Sequence, residues 1–312
     1  MNASYSVRLL LLVGEVFFLV YFSLGILLKL TTPRVVRLAG RWHPIRAAKL
    51  LAWLRMVPAL GSGLALAVCV PAYLLLEQDG GAERAGWGCL FLVLASLCVC
   101  CSSAFQTIRA LVNSRLYLKK CRLVGDQRSG VLVIPGDAPL LAVAGLWRPV
   151  PIATAKLIEL FPEEELHLAL RHEAAHASNH DNWKRLLFVA SPSFPGSKNL
   201  ELVWHHFAEL AADDYAVAGD VHSGVTLASA LVRAAKYRAA PVPCLLASYF
   251  ITQKDELVAR VNRLLNASAI SAPVEKGDPS TIWVGAIFAL LILFASASQM
   301  ESIHLLLETS FR

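Results

Sequence analysis

Charge is scarce in this chain of 312 residues. Only 17% of the residues are Asp, Glu, Lys or Arg, and 56% are hydrophobic. A soluble domain usually carries about 25% charged residues, so the balance excludes an ordinary soluble protein and points to membrane-spanning segments. Cysteine has no framework either. Of the seven cysteines, Cys69, Cys89, Cys98, Cys100 and Cys101 fall inside apolar runs, while Cys121 and Cys244 stand apart. None has metal-site spacing, and a buried thiol behaves as a small hydrophobe. No disulfide scaffold is implied. Internal repeats and low-complexity linkers are missing. The net charge of +6 comes without any basic reading motif, which argues against direct nucleic-acid binding. The basic residues sit beside apolar runs, where anionic lipid and membrane topology account for them.

Four runs are long enough to cross a bilayer. The first covers 9–28 and has no small-x-small cleavage site after it, so it reads as an anchor and not as a cleaved signal. The others cover 57–76, 87–108 and 281–299. Between the first two, the loop holds Lys29, Arg34, Arg37, Arg41, Arg46 and Lys49 and no acid. The next loop is acidic, with Glu77, Asp79 and Glu83. Basic residues return after the third run at Arg109, Arg115, Lys119, Lys120 and Arg122. The positive-inside rule then places both basic segments in the cytoplasm and both chain ends outside. Residues 1–113 are expected to hold three transmembrane helices and 114–280 a cytoplasmic domain. A fourth helix follows at 281–299, with an extracytoplasmic tail at 300–312. The spans show no paired broken helices, which weighs against a transporter.

The insert predicts three short strands, at 131–135, 139–144 and 149–153, and then helices at 162–179, 198–218, 222–238 and 254–266. This order is that of an α+β domain. Its first long helix carries His172-Glu173-Ala174-Ala175-His176. Residues four apart share a helix face, so His172 and His176 can hold one metal ion between them. Glu173 projects about 100° away from His172 and is suited to take a proton from an activated water. Pro162 and the acids Glu163, Glu164 and Glu165 make a helix start in front of this pattern. His180 continues the same face, but about 12 Å from His172 it is too far to share that ion.

A catalytic zinc needs three protein ligands and one open position. The 198–218 helix offers Glu209 and Asp213 on one face. Glu209 as third ligand and Asp213 as partner to a ligand histidine would meet both needs from one helix turn. His205 lies one turn before Glu209 on that same face, so spacing alone leaves a three-histidine site open.

His172-Glu173-Ala-Ala-His176, the following Asp181-Asn182, Glu209-Leu-Ala-Ala-Asp213, the approach Gly145-Leu-Trp-Arg-Pro149 and the late Arg260-Val-Asn-Arg-Leu-Leu together resemble the BlaR/MecR family of integral membrane metallopeptidases. The resemblance covers nearly the whole chain. It implies a multi-pass α-helical membrane protein with four transmembrane helices and an inserted α+β zinc domain of the gluzincin type. It selects Glu209 over His205 and implies Zn2+ bound by His172, His176 and Glu209, with Glu173 as base and Asp213 behind the ligands. HtpX-like membrane proteases share both motifs and are the alternative. Signalling members of the BlaR/MecR family carry a large sensor domain after the fourth span. This chain ends about a dozen residues past it, so the antibiotic-receptor role is not carried over.

The expected activity is therefore zinc-dependent endopeptidase cleavage of a cytoplasmic or membrane protein, with a winged-helix repressor as the substrate the resemblance suggests. Tyr215, His222 and Arg260 are the candidate transition-state stabilisers. The segment 145–154 is expected to be an exposed strand to which an extended substrate adds. A homo-oligomer is left open. The opposing reading is an inactive membrane scaffold whose zinc is structural. A structural site wants a fourth ligand, and the sequence offers none.

Overall fold

Three helices longer than the apolar runs dominate the fold, α1 (Tyr5–Ala39), α2 (Pro44–Leu76) and α3 (Trp87–Val124). The computed structural model describes residues 5–76, 87–128, 130–237, 247–249 and 254–266. The fourth apolar run, the 300–312 tail and Cys244 lie outside the described residues. All three helices are long and apolar enough to cross a membrane. Each also extends beyond its apolar run, α1 through 29–39, α2 through 44–56 and α3 through 109–124. α1 and α2 are consecutive helices joined by the short basic turn at 40–43, so their extensions lie on one side. The rest of the chain is built on those extensions.

A five-stranded sheet follows: β1 (Asp126–Arg128), β2 (Val131–Ile134), β3 (Leu141–Ala144), β4 (Val150–Thr154) and, much later, β5 (Ala247–Tyr249). Its spatial order is β1-β2-β4-β3-β5. β2 and β4 run parallel, with Leu132 opposite Ile152. β3 pairs antiparallel with β4, Ala142 facing Ile152, and with β5, Val143 facing Ser248. β3 is buried along its whole length, as a strand covered on both faces must be.

The placement of β4 overturns one expectation. β4 is paired on both sides, so the strand part of the 145–154 segment lies inside the sheet and is no edge for a substrate strand. The sheet's outer strands are β1 and β5.

Six helices complete the domain: α4 (Ala155–Leu160), α5 (Glu163–Ser178), α6 (Asp181–Ala190), α7 (Ser197–Val217), α8 (Val221–Lys236) and α9 (Lys254–Leu265). Their starts have local causes. Thr154 caps α4 by accepting from Leu157 N, and its hydroxyl also takes Leu140 N and gives to Ala138 O. Pro162 precedes α5, whose first turn is acidic. Asp220 caps α8 by accepting from Ser223 N at 2.8 Å, a contribution of about 1 kcal/mol.

Two of the apolar cores among the described residues hold most of these helices. Leu157, Phe161, Leu168, Leu227, Leu231 and Leu264 join α4, α5, α8 and α9 to the sheet. Tyr21, Leu51, Phe188, Phe194, Leu200 and Trp204 join α1 and α2 to α6 and α7. Each fully buried side chain of this size contributes about 1.5–3 kcal/mol. The second core fuses the domain to the membrane helices rather than hanging it from a tether.

Candidate metal centre

α5 lies against β3 and against α7, so the inner faces of the two motif helices meet. His172, Glu173, Glu209 and Asp213 are fully buried there, and His176 is nearly so. Three donor side chains converge. His176 Nε2 is 3.3 Å from His172 Nε2 and 3.3 Å from Glu209 Oε1, and His172 Nε2 is 3.4 Å from Glu209 Oε2.

The group is close enough to hold one metal ion. Tetrahedral bonds of about 2.0–2.1 Å place neighbouring donors about 3.3 Å apart, which is the spacing of the two histidine nitrogens, while a different oxygen of Glu209 faces each ring. The chemistry of the donors agrees. Nδ1 of His172 is 2.9 Å from Asp213 Oδ1, and Nδ1 of His176 is 2.8 Å from Asp181 Oδ2. Carboxylates there hold the proton on Nδ1 and turn the Nε2 lone pair toward the shared point. Two lone pairs and a carboxylate facing one another call for a cation.

The electrostatics say the same. Burial lowers the pKa of the His176 ring, but the charge of Glu209 and the hydrogen bond to Asp181 overrule it and push it up to about 10. Burial also acts against charge on His172, and hydrogen bonds to Asp213 and Glu209 again raise the ring's pKa. The pocket thus favours positive charge, whether proton or metal. Burial raises Asp181, yet its bond to His176 and the charge of Lys184 bring it down to about 2. Glu209 is held well below the usual carboxylate range, because Arg260 and the two histidines outweigh its burial.

Arg260 in α9 is fully buried behind this group. Its Nε and Nη2 donate to the two oxygens of Asp213 at 2.8 and 2.7 Å, and Nη1 donates to Glu209 Oε2 at 2.8 Å. This corrects its expected role. It grips the two carboxylates from behind instead of facing a substrate, and so it positions a metal donor and the partner of another.

Tyr215 is half exposed and leaves α7 about 200° round from Asp213, turned from the donors. His222 is exposed in the first turn of α8. The structure does not bring either one to the centre. His205 does lie near it, with Nδ1 3.6 Å from Glu209 Oε1, but it is not among the three converging donors. His180, exposed and left-handed with φ 58°, ends the α5 turn and leads into α6.

Reasoning from spacing missed two residues. Asp181 holds His176 from across a helix break, and the signal was its place five residues after the second histidine. Arg185 of α6 reaches toward His205, 3.5 Å away, and no sequence signal marks it.

No protein-family model matches this chain, and no curated protein matches it significantly. The centre stands on its own geometry.

Proposed function

We propose that this protein is a membrane-embedded zinc metalloendopeptidase whose active site faces the cytoplasm. The observation that carries the reading is the pair of carboxylate-held histidines converging on Glu209, directly beside a buried glutamate that is not itself one of the donors. His172, His176 and Glu209 would hold the ion, and two histidines with one carboxylate are a catalytic zinc set. When bound, zinc lowers the pKa of water and polarises a peptide carbonyl.

The chain's own residues do the rest. Glu173, next in sequence to a donor and fully buried, takes the proton of the attacking water and delivers it to the leaving amine. Asp213 and Asp181 keep both rings in the productive tautomer. Arg260 fixes Glu209 and Asp213 together, so the donor geometry exists before the ion arrives. The resemblance to the BlaR/MecR family and its HtpX-like alternative supports a proteolytic role, with a winged-helix repressor or a membrane protein as substrate.

The test is purified, detergent-solubilised protein with and without Glu173→Gln. Cleavage of a denatured protein substrate should be stopped by chelation and restored by zinc. The Gln variant should keep about one zinc per chain while its rate falls by about 10²-fold or more. Unchanged cleavage in the Gln variant would remove the mechanism.

A further inference from the structure

The extension of α3 beyond its apolar run carries five cations and no acid over 109–124. Its inner face, with Ala110 and Cys121, is buried in a core shared with β2 and α6. Another face is open. Arg115, Lys119 and Arg122 stand on it at i, i+4 and i+7, all exposed. With Leu118 and Leu123 they line a depression of 290 Å³. None of the three cations has a hydrogen-bond or ion-pair partner among the described residues. The next acid in the chain, Asp126, lies 3.8 Å from Arg128.

The depression adjoins the 145–148 loop. Leu118 packs there so that a Cβ added to Gly145 would lie 3.5 Å from it. The loop is tied down from α6. Asn182 Nδ2 donates to Gly145 O and Trp183 Nε1 to Leu146 O, each at 3.0 Å. The loop presents Arg148 and Trp147 to solvent. Trp147 is 82% exposed, although its ring meets that of Trp183 edge-on at 4.7 Å. Exposed Trp and Arg on a fixed support are the side chains that dominate protein interfaces.

The chemistry of this surface selects its occupant. A second copy of the chain would bring the same cations to it and be repelled. A bilayer lies too far away. With α3 across it, Arg122 stands 13 residues past Arg109, the first charge after the apolar run. That is about 20 Å along the helix, or about 15 Å at a tilt of ~40°, and headgroups extend only about 5–8 Å. A nucleic-acid backbone would meet the cations through its phosphates but would leave the aliphatic floor, Leu118 and the 75% exposed Leu123, without a partner. A polypeptide offers carboxylates and apolar side chains together.

We infer that Arg115, Lys119 and Arg122, with the adjoining 145–148 loop, dock an acidic segment of a partner protein that also carries apolar side chains. Its carboxylates pair with the three cations, an aliphatic side chain covers Leu118 and Leu123, and Trp147 adds an aromatic contact beside them. The partner is held near the metal centre, because Asn182, which ties the loop, follows Asp181, the carboxylate that holds His176. Docking stands apart from the peptidase reading, and its test reads binding instead of cleavage.

The experiment uses the full chain in nanodiscs of zwitterionic lipid. The probe is a short fluorescent peptide of Glu-Glu-Leu repeats, compared with its Gln-for-Glu version and with an oligonucleotide of equal charge. Anisotropy titration reads the affinity. One variant combines Arg115→Gln, Lys119→Gln and Arg122→Gln. A control combines Arg34→Gln, Arg37→Gln and Arg41→Gln, which removes the same charge from α1 and its following turn. All six positions are exposed, and unchanged melting checks both folds. Trp147→Ala is a separate variant at another exposed position. The acidic peptide should bind roughly tenfold tighter than its Gln version, and the α3 variant should lose roughly tenfold in affinity. The control should change by less than about twofold, and Trp147→Ala should weaken binding several-fold. Equal losses in the α3 variant and the control would overturn the inference and leave diffuse attraction between charges. Tighter binding of the oligonucleotide than of the peptide would make the surface a nucleic-acid site. Loss of peptide binding when anionic lipid is added to the nanodiscs would give the cations to the bilayer. An acidic peptide that binds no better than its Gln version would remove the docking surface altogether.

Discussion

Arg260 donates to Glu209 Oε2 from 2.8 Å, the same oxygen that lies 3.4 Å from His172 Nε2, so the carboxylate that completes the candidate metal-binding group is already paired with a cation. Asp213 shares the same guanidinium through a two-point grip. One arginine from the last described helix therefore ties the third donor to the residue that orients the first.

That arrangement makes Arg260 a test of how the centre is built. Arg260→Met would leave two buried carboxylates without their cation, a loss of about 3–5 kcal/mol. Thermal unfolding of the solubilised variant should show a large drop together with reduced zinc content. Arg260→Lys should recover only part of it, because an ammonium cannot reproduce the forked contact. A variant with wild-type melting and full zinc would show that the grip is dispensable.

The donor set can be separated residue by residue. Glu209→Ala should lose zinc and His205→Ala should keep it, because among the described residues Glu209 converges with both histidines and His205 does not. Asp213→Ala and Asp181→Ala should each weaken zinc by roughly 10–100-fold without abolishing the site. Metal analysis of the purified variants decides. An empty His205→Ala and a full Glu209→Ala would reverse the assignment.

Zinc affinity should depend on pH. With His176 raised to about 10 when the metal is removed and an unfolded value of about 6.5, its protonated form stabilises the metal-free fold fully below about pH 6.5. That contribution is lost as pH rises through 10. The metal needs the neutral ring, so affinity should climb between pH 6 and 10, and binding near pH 7 should release protons. Calorimetry in buffers of differing ionisation enthalpy measures the release, and a pH-independent affinity with no proton release would contradict it.

Topology is open to a direct check. Reporter fusions after Arg41 and Arg122 should report cytoplasm, and fusions at Gly80 and after Glu308 should report the outside. A cytoplasmic signal at Gly80 would invert the orientation and place the metal centre on the opposite face.

Much of this was written in local pattern. Apolar length marks membrane helices because a bilayer demands about 20 residues of them, and α1, α2 and α3 contain the first three such runs. α5 and α7–α9 begin and end within two residues of expectation, because helix periodicity and capping signals such as Pro162 and Asp220 act over a single turn. His172 and His176 share a face by spacing alone.

What the chain could not announce was anything set by distant partners. α6 follows α5 with only Asn179 and the left-handed His180 between them, and neither Gly nor Pro marks the break. β4 was expected to be exposed and proved interior, because sheet order follows from pairings across the fold, here with β2 and β3 at once. Spacing left Glu209 and His205 equal, since both lie on one face of α7. The choice belongs to the packing of α7 on α5, which carries Glu209 to both rings and leaves His205 at the rim. Arg260 could be suspected from sequence, but its burial behind two carboxylates is a product of α9 closing on α7 and α8, and so is its work there. Local periodicity supplied the donors, and tertiary packing selected among them because metal geometry is decided over a few ångströms between different helices.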